Sequence, residues 1–318
     1  MESDGLPAAV MKIPGHVRQA FRPAAGLPPG APRRSAAAAR KGCPTSSTER
    51  RFTKLAVTIV VLYLALPLQA QWLHYPTPGV PRSPDGAPNL NAPAPRTADG
   101  TPDLSGIWVD ENNRPCPPNN CDDMLTSQEF WDMGWSLKGG LPYQPWAAAL
   151  VKQRQAAFGQ GDPTSHCLPG GVLKMHGDPL MRKIVQAPGL VVILNERNAA
   201  YRQIFTDGRP LPQDPQPSWN GYSTSKWEGD SLTVKTSGFR DGLWLDRKGS
   251  PLTEAGTITE RFRRVSYGKL EVDVTVDDPK AYTAPWNIRL TQLLKVDTEL
   301  LDYICLENEK DTPHLVGK

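Results

Sequence analysis

The chain divides by the spacing of its apolar positions. From about residue 180 onward they tend to recur every second residue. In 269–276, Leu270, Val272, Val274 and Val276 point one way, and Lys269, Glu271, Asp273 and Thr275 point the other. That alternation marks a strand with one buried face. Further strand-like segments lie at 182–186, 190–194, 201–205, 222–227, 231–236, 257–263, 286–295 and 300–306. Several are joined by turn sequences such as Ala187-Pro-Gly189, Asp207-Gly208, Glu228-Gly-Asp230 and Tyr267-Gly268. With an early strand at 107–109 this predicts about ten strands. The 257–264 segment breaks the rule, because Glu260 shares a face with Ile258; an inward charge there implies a polar interior. Helix signals occupy two stretches only. Residues 126–133 open with a hydroxyl cap and an early acid, and 145–158 open with Pro145 and continue in good helix formers. Strands and helices do not alternate, so a parallel sheet is not expected. The order predicts a mainly β fold: an antiparallel barrel of about ten strands with two helices inserted after the first strand. A two-sheet sandwich is the weaker alternative.

The first hundred residues follow other rules. Residues 1–50 are rich in Ala, Pro, Gly and Arg and lack apolar periodicity, which predicts a disordered basic leader. Residues 51–70 place Arg50, Arg51 and Lys54 before an apolar run from Leu55 to Leu66, with Pro67 and a small residue, Ala70, behind it. This is the layout of a signal peptide; an uncleaved anchor is the alternative. Residues 71–102 read as an extended proline-rich linker. A single domain over 103–310 and a tail over 311–318 complete the organisation. The expected location is periplasmic or secreted.

Removing the ten basic and three acidic residues of 1–54 changes the charge picture. The whole chain carries 36 basic and 33 acidic residues, so 26 and 30 remain, a net charge of about −4. No basic stripe is left, and nucleic acid is not an expected partner. The membrane is met only through the signal segment if it stays uncleaved. No sequence feature sets an oligomeric state. Four cysteines follow the leader: Cys116, Cys121, Cys167 and Cys305. An even number in an oxidising compartment favours disulfides. Three pairings are open; one joins Cys116 to Cys121 across a short loop and Cys167 to Cys305 across a long one. No histidine stands at ligand spacing from the Cys116–Cys121 pair, and neither a metal nor a cofactor is expected.

Two resemblances add to this. Gly106-Ile-Trp108 resembles the opening strand of the lipocalin superfamily, which implies a lipocalin-like barrel. It also implies that an arginine among Arg261, Arg263 and Arg264 crosses Trp108. Asp207-Gly-Arg209-Pro, Pro217-Ser-Trp219-Asn-Gly-Tyr222-Ser, Trp227-Glu-Gly-Asp230, Gly238-Phe-Arg-Asp241 and Trp244-Leu-Asp246 are together similar to a large family of secreted bacterial β-rich proteins with no assigned activity. Glu260-Arg-Phe262 and Asp277-Asp-Pro-Lys-Ala-Tyr282 match it too, so the resemblance covers roughly residues 101–310. It implies the exported β-rich fold and no reaction. The family's Gly-His-Pro-His-Ser-Glu run is replaced here by Gly249-Ser-Pro-Leu-Thr-Glu254, which removes its histidines.

Candidate chemistry is thin. Trp219, Tyr222, Trp244, Tyr282 and Trp286 are the rings that would stack on a sugar or line an apolar pocket; the same residues suit core packing. Arg209 would grip a ligand carboxylate or pair within the protein. Asp246, Glu254 and Asp207 are the carboxylates that would act as acid and base, if two of them converge. Otherwise they cap turns. There is no Gly-x-Ser-x-Gly elbow, phosphate loop, dinucleotide fingerprint or His-Glu-x-x-His helix. The expectation is an exported barrel that holds a small-molecule or carbohydrate ligand in an aromatic-lined cavity. The alternatives are a hydrolase or lyase using paired carboxylates, and a structural envelope module.

Overall fold

A computed structural model describes residues 76–112 and 126–307. The leader, the signal segment, the tail and the loop bearing Cys116 and Cys121 lie outside the described residues. Nine strands close a barrel: β1 (Gly106–Asp110), β2 (Arg182–Ala187), β3 (Leu190–Asn195), β4 (Tyr201–Phe205), β5 (Tyr222–Glu228), β6 (Ser231–Ser237), β9 (Thr257–Ser266), β10 (Lys269–Asp277) and β11 (Trp286–Lys295). Around the barrel they run β1-β11-β10-β9-β6-β5-β4-β3-β2, and β2 pairs back to β1. Two short strands, β7 (Leu243–Trp244) and β8 (Pro251–Leu252), pair with each other outside it.

Two expectations are corrected. The barrel has nine strands, because 300–306 forms only an isolated bridge between Tyr303 and Arg197. Leu301, Tyr303, Ile304 and Leu306 lie exposed there. Their apolar character supplies no buried face for a ladder. The barrel is also mixed rather than antiparallel throughout. β4 and β5 run parallel and pair only at Ile204–Ser223 and Phe205–Thr224. The connection between them contains Pro210, Pro212, Pro215 and Pro217, which carry the chain back across the barrel end instead of turning it in a tight hairpin.

β9 obeys the two-residue period after all. Ile258, Glu260, Phe262 and Arg264 are buried, and each neighbour between them is more exposed. The charged residues at inward positions hid the pattern. Between β1 and β2 lie α1 (Gln128–Trp131), α2 (Pro145–Ala156), a 3-10 turn (Pro163–His166) and α3 (Gly171–His176). Every residue of α3 is buried. Its His176 bonds to Glu260 of β9, and the His176 carbonyl receives Arg182 of β2 and Gln292 of β11. The helix is therefore tied to three strands of the barrel. About 13 Å further along β9, at the usual strand rise, Arg264 lies over the ring of the fully buried Trp108, 4.9 Å from its centroid. Arg264 also donates to the carbonyls of Asp103, Ser105 and Tyr267. Of the three candidate arginines, Arg264 is the one that crosses Trp108.

The proline-rich stretch before β1 is not a bare spacer. It contains a repeat: Pro81-Arg-Ser-Pro-Asp-Gly-Ala-Pro-Asn-Leu90 and Pro95-Arg-Thr-Ala-Asp-Gly-Thr-Pro-Asp-Leu104. Each copy folds as a small hairpin with matching bonds. Gly86 N–H donates to Ser83 and Gly100 N–H to Thr97; Asn89 N–H donates to Pro81 and Asp103 N–H to Pro95. Each copy also extends an arginine to a barrel aspartate. Arg82 reaches Asp297 at 2.6 Å and Arg96 reaches Asp230 at 2.8 Å. The closing leucines pack inward, Leu104 in the core and Leu90 against Gly268.

Cys167 and Cys305 form a disulfide with a Cα–Cα distance of 5.4 Å. The bridge spans 138 residues, for which the chain-entropy model gives about 5 kcal/mol.

Candidate functional site

The interior holds the strongest charges. Arg202 of β4 clamps the Glu260 carboxylate through both terminal nitrogens, one at 3.0 Å. It also donates to Ser223 and Thr236. Burial opposes ionisation of Glu260, but Arg202 and then His176 outweigh it and bring the carboxyl to about 2. The pKa of His176 is lowered as well, but for a base that favours the neutral form. Burial lowers its pKa despite Glu260, so the ring is neutral at pH 7. An ionised Glu260 only accepts, so His176 Nε2–H donates to it at 2.8 Å and Nδ1 carries the lone pair. Next to this network is a cavity of only about 10 Å³, lined by His176, Arg182, Asn195 and Arg202 among others. That is about one water molecule. Beside Glu260, α3 and the ion-paired side chains leave no room for a larger ligand.

The three candidate carboxylates stand in separate settings. Asp246 is fully buried and accepts from the Met133, Gly249 and Ser250 amides and the Ser250 hydroxyl, at 2.7 to 2.9 Å. Burial raises its pKa against those bonds. The four donors tie the turn between β7 and β8 to the segment after α1. Glu254 is on the surface, where hydrogen bonds with Asp241 and then Lys280 bring it down to about 2. Asp207 is on the surface too, bonded to Arg209, which lowers its pKa.

The aromatic candidates divide in two. Trp244, Tyr282 and Trp286 are buried in the core. Tyr282 packs on Tyr143 and Trp286 with centroids 5.6 Å apart in each case, and its hydroxyl donates to Pro251. Arg154 lies 4.4 Å over Trp244. Trp219 and Tyr222 instead line an open cleft of about 540 Å³. The cleft exists because β4 and β5 meet at two residue pairs only and part above them. One wall is the end of the β3–β4 turn with β4, including Asn198, Tyr201, Gln203 and Phe205. The facing wall is 218–223, including Trp219, Asn220 and Tyr222. Arg240 covers one face of Trp219 at 4.4 Å, and Phe205 stacks on Tyr222 at 5.2 Å. Arg209 sits 3.9 Å over Phe205 and donates to the Tyr222 hydroxyl, so it braces the rim while paired with Asp207. Of the cleft-lining residues only Arg202 is charged, and its guanidinium is turned to Glu260.

A second cleft, of about 410 Å³, lies between the Arg96 hairpin and the β2–β3 turn, with Trp227 on its wall. Among the described residues, no group of three His, Cys, Asp or Glu side chains is placed to hold a metal ion. Nor is any helix among them long and apolar enough to cross a membrane.

Sequence reasoning missed Asn198, Tyr201, Phe205 and Asn220 as cleft residues, because that wall forms only when the parallel seam does. It also missed Arg202 and His176 as the two partners of Glu260; the inward Glu260 was the single visible sign. Comparison with known proteins gives no match to a family model, to a curated protein or to a solved structure.

Proposed function

We propose that the chain is an exported binding protein whose small, uncharged, hydroxyl-rich ligand lies in the β4–β5 cleft, on the outside of the barrel. The observation that carries this reading is the lining. A volume of about 540 Å³ falls in the range usual for ligand sites. Trp219, Tyr201 and Tyr222 offer ring faces and edges, Asn198, Gln203 and Asn220 offer amides, and no carboxylate or lysine intrudes. Rings beside neutral donors and acceptors suit a saccharide better than an ion. The Cys167–Cys305 disulfide is compatible with life outside the cytoplasm and supports export. The lipocalin-like resemblance fits the Trp108–Arg264 contact, although the proposed site is not the barrel lumen.

The test is calorimetric titration of the full chain with neutral mono- and oligosaccharides beside their uronic-acid and amino-sugar counterparts. Neutral sugars are expected to bind and charged ones to bind at least tenfold more weakly. Trp219→Ala is expected to lower affinity at least tenfold; because the ring also packs against the core, the titration is run well below the variant's melting temperature. Tight binding that survives Trp219→Ala places the ligand elsewhere. The cavity of about 10 Å³ beside Glu260 favours a second reading, a structural envelope module; it is the one left standing if no ligand of either charge class binds.

A further inference from the structure

We propose that the Cys167–Cys305 disulfide, acting through Asn198, holds one wall of the β4–β5 cleft in its binding shape, so that the bridge controls affinity at that site. This rests on the ligand reading above. The bridge is not part of the barrel's closure. Cys167 ends the 3-10 turn, Cys305 lies beyond β11, and the ring of strands closes through β1 and β2 without either. What the bridge touches is the turn between β3 and β4. The Asn198 side chain spends both ends of its amide there: Nδ2 donates to the Cys167 carbonyl at 3.1 Å, and Oδ1 accepts from the Cys305 N–H at 3.0 Å. The Asn198 N–H donates to Tyr303 at 2.6 Å, and the Tyr303 N–H donates to Glu196 at 3.1 Å. The two cysteine backbones thus form a fixed cradle for one asparagine.

The turn has three backbone bonds of its own, Asn195 N–H to Ala200, Ala199 N–H to Glu196 and Ala200 N–H to Arg197, but the cradle matters because the turn's backbone is strained. Asn198 and Ala199 both have left-handed backbones, with φ of 57° and 47°. Asparagine tolerates this region, whereas alanine has no side-chain polar group to offset it. Asn198, Ala199 and Ala200 line the cleft, and Tyr201 begins β4 directly after them. Asn220 on the facing wall donates to the Tyr201 carbonyl at 3.1 Å. The path from the bridge to the site is therefore bridge, Asn198, turn, Tyr201, Asn220. Each step is a hydrogen bond or a peptide link.

The experiment compares the full chain with Cys167→Ser/Cys305→Ser by amide hydrogen exchange, and titrates both with maltotriose. Exchange across 196–203 is expected to rise at least tenfold more than across β9 and β10, whose protection falls only with the global loss of stability, and maltotriose affinity is expected to fall at least tenfold. Unchanged exchange across 196–203 overturns the proposal. So does raised exchange with unchanged maltotriose affinity. Should the intact chain bind no maltotriose, the exchange result still decides whether the bridge holds the wall, while the saccharide reading fails separately. Asn198→Gly guards against misfolding of the cysteine variant. It keeps the left-handed backbone and the disulfide and removes only the clamp, so the same rise across 196–203 is expected. Normal protection in that variant overturns the role given to Asn198.

Discussion

The β9–β10 side of the barrel and the β4–β5 side obey opposite rules. β9 and β10 share nine paired positions in an antiparallel ladder, from Thr257–Asp277 to Ser266–Lys269. β4 and β5 share two, in parallel. The long ladder seals Glu260, Phe262 and Arg264 in the core. The short seam leaves a cleft whose walls, Arg202 apart, carry neutral groups. The residues of strongest chemical character, Glu260, His176, Arg202 and Asp246, are therefore spent on holding the fold. Access is given where the sheet is weakest. Binding surfaces tend to be drawn from regions of low local stability, and here the seam supplies one.

The contrast can be broken most sharply from inside. Glu260→Ala leaves Arg202 buried with no carboxylate, and such an orphaned partner costs about 3–5 kcal/mol. Chemical denaturation is expected to show a loss of that order. A loss under 1 kcal/mol would mean that the interior is wetter than its geometry implies.

Acid is the next largest lever. The Glu260 carboxyl sits at about 2 in the fold against an ordinary 4.5. The unfolded chain takes up that proton first, so the stability is present above pH 4.5 and is lost as pH falls toward 2. His176 acts in the same direction, being held below 6.5 by burial. Asp110 opposes them, because burial raises it to about 7 and its contribution is lost as pH rises from 3.8. Urea midpoints from pH 7 to pH 2 are expected to fall less steeply below 4.5 in Glu260→Gln than in the native chain. Parallel curves would show that the carboxylate does not titrate with folding.

The smallest effect belongs to the outer ion pairs. Arg96 and Asp230 are more than half exposed in their pair. Arg96→Ala is expected to change stability by less than about 0.5 kcal/mol. A larger loss in the same denaturation assay would mean that the hairpin, not the ion pair, is what the arginine secures.

How much of this was legible follows from what each signal measures. Alternation reports which side chains face the core, so eight of the barrel strands beyond β1 could be placed from their apolar positions. It does not report strand direction. The direction of β5 depends on four prolines that the pattern treats as punctuation. It also fails where the inward residue is charged, as at Glu260. Aromatic residues carry the same weakness. Nothing local distinguishes Trp219, on the cleft, from Trp244, in the core; the difference is the strand pairing around each. The hairpin repeat was written plainly in residues 81–104, but its signal is identity at a fixed interval, not hydrophobic period. A search for alternation passes over it.

That repeat has a consequence for how such chains vary. Each copy carries its own turn, its own internal bonds and its own arm, and corresponding residues are fourteen positions apart. A copy can be duplicated or deleted in one step of that length while leaving every rung of the barrel in place. Length differences ahead of Trp108 are then expected to come in whole units, each new unit needing only one more acidic side chain on the barrel to grasp.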